Sequence, residues 1–402
     1  MSWMTLSENR GHFSAAVITT LPFLVSTMKK TRRLMVSSCG TSILSNGADQ
    51  ATRSLLIQLA NKSAAELDAQ QKKRIDALAA ERAQFLASSS LSDVWSGSAE
   101  ISGIAAFYGR DFASGKGDQH IFVHSDTYQG ALCASLLAEW CHSKNMAVET
   151  ARIPGLNTAD FASFSAAMTD LAQWCIERIA PERSPHCRVV FNLTGGYKSL
   201  QGFMQTLGMF YADEIVYLFE GAKELLRIPR LPINIDAGAL DEIHANLRLF
   251  RQLSYNMKVS EQEISNISET MLFSLDGEHS LSAWGAIFWD RYRQERYGVE
   301  LLPSPLPERI VYGPDFIKQA EQRFKGLPKY TFELNERIDQ LARFLLSNQL
   351  LNPKGLTFKG IKGNPVPGST HEFRAWSTYG GWRIFCHFEG AVCHIDTLRE
   401  HL

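Results

Sequence analysis

At 402 residues the chain exceeds one ordinary hydrophobic core, so its length predicts two or three domains. With 45% hydrophobic residues, 21% charged residues and a formal net charge of -1, it has the make-up of a soluble globular protein. That balance excludes whole-molecule attraction to nucleic acid, so any RNA contact must come from a local patch.

The seven cysteines, Cys39, Cys133, Cys141, Cys175, Cys187, Cys386 and Cys393, are odd in number and contain no C-x-x-C. This favours a reducing, cytoplasmic setting. No apolar run reaches membrane-spanning length, so no membrane partner is expected. Residues 1–27 read as a disordered extension with Met28 as the expected start. Their apolar stretch Ala15–Val25 precedes the basic cluster Lys29, Lys30, Arg32 and Arg33, the reverse of a secretory leader.

From Leu34 onward, short β-type runs alternate with amphipathic helices. The runs are Leu34–Ser38, Gln119–His124, Ala147–Ile153, Cys187–Asn192 and Glu214–Phe219. Helix Tyr128–Lys144 carries Leu132, Leu136, Leu137 and Trp140 at helical spacing. The alternation predicts a multidomain α/β chain that opens with a Rossmann-like parallel sheet over residues 28–232. Ala64–Ala87 reads as a solvent-facing helix.

Ile228–Ile235, with two prolines, reads as a connector. Three helices are expected next: Leu240–Leu253, Val259–Phe273 and Leu281–Tyr297, the last two parted by a turn at Leu275–Glu278. They predict a helical, winged-helix-like module over residues 233–302, its wing not legible. Pro303-Ser304-Pro305-Leu306-Pro307 reads as a linker. Residues 303–402 then predict an α+β unit. Its strand is Arg309–Tyr312, its helices Asp315–Phe324 and Tyr330–Ser347, and its later strands Thr357–Gly360, Glu372–Trp376, Trp382–Phe388 and Val392–Thr397.

Three polar loops follow strands of the first unit. They are Ser37-Ser38-Cys39-Gly40-Thr41-Ser42 running on to Asn46, Ser125-Asp126-Thr127-Tyr128-Gln129-Gly130, and Asn192-Leu193-Thr194-Gly195-Gly196-Tyr197-Lys198-Ser199. Glycines let backbone N–H groups approach a phosphate, and the following helix turns its positive end towards it. Lys198 adds a mobile point charge, while Ser, Thr and Asn read ribose or base edges. Ligands of open α/β sheets bind at the carboxyl ends of strands, so the loops should converge on one nucleotide crevice. No G-x-G-x-x-G or Walker A sequence is present, which disfavours nicotinamide cofactors and ATP hydrolysis.

Val36–Ser42, Ser125-Asp126-Thr127 and Thr194-Gly195-Gly196-Tyr197-Lys198 resemble the CARF domains of type III CRISPR accessory proteins, over roughly residues 28–225. The resemblance implies a homodimer around a cyclic oligoadenylate, most often cyclic tetra-adenylate, as allosteric activator. By position, Ser42, Asn46, Ser125, Thr127, Gly196 and Lys198 would line that site.

The last strands are dense in cations and rings. With side chains alternating along a strand, Arg383, Phe385 and His387 share one face, and Glu372, Arg374 and Trp376 share another. One side can cover helices, and the other offers Lys359, Lys362, Trp376 and Trp382 to single-stranded RNA. RNA cleaves itself through its own 2′-OH, so no cofactor or metal is required. The protein must move two protons and stabilise the phosphorane. Arg374, Arg383 and Arg399 suit charge stabilisation, and His371, His387 and His401 suit proton transfer. A plain docking surface is the bland alternative. Cys386-His387 and Cys393-His394 make a poor zinc site, because strand neighbours point to opposite faces.

Leu356–Lys362, His371–Trp376 and Gly381-Trp382-Arg383-Ile384-Phe385 resemble the RelE family of ribosome-dependent mRNA interferases. Arg383 matches the family's arginine after Gly-aromatic, Arg374 a basic position on the preceding strand, and Arg399 a basic position after the last strand. Glu372 stands where the family has another basic residue, and no counterpart of its C-terminal tyrosine occurs up to Leu402, which leaves the base open. The combined expectation is a type III CRISPR ancillary effector: cyclic oligoadenylate binding activates an endoribonuclease that cleaves mRNA on the ribosome. The rival expectation is a ligand-responsive DNA-binding regulator that uses Leu281–Tyr297 as recognition helix.

Overall fold

Alternation of strand and helix begins at β1 (Arg32–Ser38), where Leu34, Met35 and Val36 are all buried, as a strand covered on both faces requires. A computed structural model of the chain describes residues 31–157, 161–219, 221–222, 224–232, 237–324, 326–350, 352–353, 355–362, 366–377 and 381–400. The expected extension and start, and His401, lie outside these residues. The fold is a multidomain α/β architecture with a mixed sheet.

After β1 come α1 (Ser42–Ser45), α2 (Gln50–Gln58), α3 (Ala69–Ser88), α4 (Leu91–Gly97), α5 (Ala99–Phe107), β2 (Gln119–His124), α6 (Tyr128–Ser143) and β3 (Ala147–Arg152). Then follow α7 (Phe161–Trp174), β4 (Cys187–Asn192), α8 (Lys198–Tyr211), β5 (Glu214–Tyr217) and β6 (Leu226–Pro229). Among the described residues the strands order as β3-β2-β1-β4-β5-β6, parallel except for β6. This is the doubly wound order, whose direction reverses between β1 and β4. Leu34 and Val36 face α7 and α8, with Leu171, Leu200 and Met204. Met35 faces α3, α5 and α6. The α3 helix is not wholly solvent-facing, because Ile75, Ala79 and Leu86 are buried.

The middle module departs from expectation. Leu240–Leu253 breaks at Asn246 into α9 (Ala237–Ala245) and α10 (Leu247–Leu253). The expected helix Val259–Phe273 is a short α11 (Glu261–Ile264), a 3-10 turn and a strand. The Ser260–Glu263 capping box starts α11, but Ser265-Asn266 and Ser268 compete for the backbone and end it. Strands β7 (Leu272–Leu275) and β8 (Glu278–Leu281) pair antiparallel around Asp276-Gly277. Those turn residues both have positive φ, 51° and 77°, as a two-residue hairpin demands. A two-stranded hairpin therefore stands where a helix was expected. It leads into α12 (Ala283–Arg296), capped by Ser282, which accepts from Gly285 N at 3.0 Å.

Pro303–Pro307 is an anchored strap, not a loose linker. Pro305 O accepts from Gln252 Nε2 at 2.8 Å, Pro303 O accepts from Arg251, and Leu306 is buried. Next come β9 (Ile310–Tyr312), α13 (Pro314–Arg323), α14 (Pro328–Leu346), β10 (Lys359–Gly360), β11 (His371–Arg374), β12 (Trp382–Glu389) and β13 (Val392–Glu400). They build a sheet ordered β10-β11-β12-β13-β9. One face packs Phe373, Ile384, Cys386, Cys393, Ile395 and Leu398 beneath α13 and α14.

Candidate functional site

The carboxyl ends of β1, β2 and β4 enclose a cleft of about 360 Å³, lined by Gly40, Ser42, Ser125, Thr127, Thr194, Gly196 and Tyr197, among others. It lies at the point where the strand order reverses. Of the six expected ligand residues, Ser42, Ser125, Thr127 and Gly196 line it. Asn46 instead lines a neighbouring cleft of about 660 Å³ with Trp95, Arg110 and Phe219, and Ser42 and Thr194 belong to both. Lys198 is exposed at the first residue of α8, one position past the lining residue Tyr197. Thr127 Oγ1 caps α6 by accepting from Gly130 N at 3.1 Å and lies 2.9 Å from Ser125 Oγ.

The cleft's floor holds a residue that the motifs did not single out, Glu100. Fully buried in the first turn of α5, it accepts from Gly40 N at 2.7 Å, Ser42 Oγ at 2.7 Å and Ser98 Oγ at 2.9 Å. The helix N-terminus favours its charge. Gly195 is required here, since a Cβ would stand 2.1 Å from the Glu100 carboxylate. Asn192 links the floor's strands, donating to Ser37 Oγ at 3.2 Å and Glu100 O at 3.3 Å. Burial, with the Glu100 charge added, pushes the Cys39 thiol well above its ordinary range. That removes Cys39 as a nucleophile at neutral pH. The signal for Glu100 was a single charge in the otherwise uncharged run Ala99–Tyr108.

The second site is the sheet face opposite the helices of the C-terminal unit. Phe373, Ile384 and Leu398 enter the core, so their neighbours Arg374, Arg383 and Arg399 stand on the other face. They are direct cross-strand partners: Arg374 pairs with Arg383, and Arg383 with Arg399. Like charges opposite one another destabilise a sheet. The buried Glu372 offsets part of this charge, 3.1 Å from Lys359 Nζ and 3.9 Å from Arg383 Nε. Arg337, whose guanidinium is pushed down by burial and further by Arg374, adds to the positive field. Lys359 and Lys362 are exposed.

Other expected members of this face lie elsewhere. Trp376 and Trp382 are 1% and 7% exposed and pack with Phe324 in the core, Trp376 because β11 ends at Arg374 and Trp382 because it alternates with Arg383 along β12. Neither ring can stack on RNA. His371 falls on the core side of β11, stacked on Phe358 with ring centroids 5.3 Å apart. His387 does share the arginine face, where its Nδ1 donates to Asp396 at 2.7 Å.

Residues 96–231, about a third of the chain, match the family model described as CRISPR-associated protein (Cas_APE2256). That stretch contains Glu100 and two of the three cleft loops. The match supports a CRISPR-associated protein. No curated protein matches the chain.

Among the described residues, no group of His, Cys, Asp and Glu has the arrangement of a metal site, and no helix is long and apolar enough to cross a membrane. The candidate recognition helix α12 buries Ile287, Trp289 and Tyr292, and pairs Arg291 with Glu295 and Arg293 with Glu336. The tip of the hairpin before it carries Asp276 and Glu278. Neither surface suits a DNA backbone.

Proposed function

We propose that the chain is a signal-gated ribonuclease of type III CRISPR defence. The N-terminal sheet acts as a CARF-type sensor, working as a homodimer around a cyclic oligoadenylate, with cyclic tetra-adenylate the expected size. The middle module is a winged-helix-like brace. The C-terminal sheet is a RelE-type mRNA interferase that cleaves the ribosome-held message through the RNA's own 2′-OH, without a metal. The observation that carries this reading is the in-register row Arg374–Arg383–Arg399 on the sheet face opposite the helices. Three guanidiniums in a line suit a backbone phosphate and the charge of a phosphorane. The cleft at the strand-order reversal supports the sensing half.

Toe-printing on translating ribosomes, with and without cyclic tetra-adenylate, tests it. Cleavage confined to the ribosome-held message and dependent on ligand is expected. Arg383→Ala should lose cleavage by at least 100-fold, on the order of an oxyanion-stabilising donor, while still binding ligand. Lys198→Ala should lose activation. A Lys198→Ala protein that responds fully to the ligand removes the sensing role assigned to that loop.

A further inference from the structure

The proposed reaction needs a base and an acid, and the arginines supply neither. Further along the arginine face, His387 and His394 are cross-strand partners with stacked rings, centroids 5.0 Å apart and planes 13° apart. A bulge between Phe385 and Cys386 leaves Asp396 of β13 without an opposite residue. Bulges re-aim side chains, and this one presents Asp396 to His387. Asp396 Oδ1 accepts from His387 Nδ1 at 2.7 Å, and its Oδ2 accepts from the buried Ser369 Oγ at 2.6 Å. With Nδ1–H so held, the lone pair of a neutral His387 lies on Nε2.

The Nε2 atoms of both rings converge on one group. His387 Nε2 lies 3.6 Å from Glu389 Oε1, and His394 Nε2 lies 3.5 Å from Glu389 Oε2. Glu389 sits at the hairpin end with its side chain 72% exposed, whereas those of the two histidines are 30% and 28% exposed. A carboxylate spanning two imidazoles stands where the oxygens of a phosphodiester would bind. Arg383 is four residues away on the same strand, about 13 Å, with the buried Phe385 between them on that face. The charged groups facing the pair are Asp396 and Glu389. Glu372, Arg374, Arg383 and Arg399 lie further along the same face, while His371 points to the other.

We infer that His387 and His394 are the two proton-transfer groups of the ribonuclease, with Asp396 as the positioning residue of His387. Resting on the ribonuclease reading, the step runs as follows. His387 Nε2 takes the 2′-OH proton, and the 2′ oxygen bonds to phosphorus. The bond from phosphorus to the 5′ oxygen breaks, and protonated His394 gives that oxygen its proton. The products are a 2′,3′-cyclic phosphate and a 5′-hydroxyl. Glu389 lies beside His394 Nε2 until substrate displaces it.

The test follows cleavage of a ribosome-held message by the full chain with cyclic tetra-adenylate, with product ends mapped and rates taken across pH. The wild type should give a bell-shaped profile and 2′,3′-cyclic phosphate ends. His387→Gln and His394→Gln should each lower kcat about 100-fold or more with KM little changed. His387→Gln should remove the acidic limb and His394→Gln the alkaline limb. Asp396→Asn, which keeps the size of a side chain that is 26% exposed, should lower kcat and shift the acidic limb at unchanged KM. A wild type that cleaves while both histidine variants keep its rate and profile overturns this pair and leaves the arginine reading standing. A wild type that cleaves no RNA overturns both.

Discussion

At the residue scale, the groups that depart most from ordinary chemistry sit at opposite ends of the parallel sheet. At the amino end, Tyr108 donates its hydroxyl proton to Asp118 at 3.1 Å, so His120 Nε2, 3.0 Å away, must donate to the Tyr108 oxygen. His120 Nδ1 is then a buried acceptor with no partner. Burial, then the Arg33 charge, pulls the His120 imidazole down to about 4. Folded His120 is therefore neutral, while in the unfolded chain it takes a proton near its ordinary value of about 6.5. Its contribution is complete above that value and is lost as pH falls from there to about 4. The loss amounts to about 3 kcal/mol. Urea titrations at pH 7 and pH 4.5 on wild type and His120→Gln check this, with the wild type losing more of its stability than the variant. Equal losses would show that His120 does not set the slope. None of this network was legible in sequence. His120 occupies a normal strand position between Gln119 and Ile121, and only the fold brings Tyr108 to it together with Asp118. Glu100 differs, since a charge inside an apolar helical run was a readable anomaly.

At the element scale, strand–helix alternation was legible because its signals are local. β2 and β4 have the expected bounds, and α6, α13 and α14 begin and end within two residues of expectation. The hairpin β7–β8 was misassigned although Asp276-Gly277 between alternating runs is a strong turn signal. The apolar spacing of Val259–Phe273 also fits a helix, and periodicity over so short a run does not separate the two. Face assignment on β11 failed at Trp376 for another reason: period-two alternation holds only while the strand continues, and β11 stops at Arg374. Pro303–Pro307 looked like a linker because proline signals a break. Its anchoring depends on Arg251, some fifty residues earlier, whose Nε donates to Asp339 at 2.5 Å and whose guanidinium also reaches Pro303. Tyr297 OH donates to the other oxygen of Asp339 at 2.6 Å. The Arg251 and Asp339 side chains are 1% and 2% exposed. Breaking such a pair strands a buried charge, so Asp339→Asn should cost about 3–5 kcal/mol. Replacing both partners by apolar side chains, Arg251→Met with Asp339→Leu, should recover most of that loss. Urea unfolding of the single and double variants decides it, and a double variant no more stable than the single one contradicts the account.

At the scale of the whole molecule, the question is how a cleft at one end of the parallel sheet could govern a sheet face in another unit. The cleft loop ends where α8 begins, and Phe203 of α8 lies against Trp284 of α12, with ring centroids 5.1 Å apart. Ala283 and Ile287 of α12 belong to the same core as α7 and α8. The far end of α12 meets α14 through Arg293 with Glu336, and just beyond it Tyr297 reaches Asp339. Helix α14 in turn covers the core face of the sheet whose other face carries the arginines. Among the described residues, α8, α12 and α14 link the cleft to the arginine-bearing sheet, which would give a shift of α8 a physical route to α12 and α14. A ligand shifts such an equilibrium only by its differential affinity for the two states. If α12 carries that difference, removing its contact with α8 should separate binding from response. Trp284→Ala should bind cyclic tetra-adenylate with wild-type affinity, yet its ligand-stimulated cleavage should fall towards the unstimulated rate. A coupling of 1–3 kcal/mol corresponds to a loss of roughly 5- to 150-fold in stimulation. Full stimulation in that variant, measured beside unaltered ligand binding, would mean the signal crosses by another route.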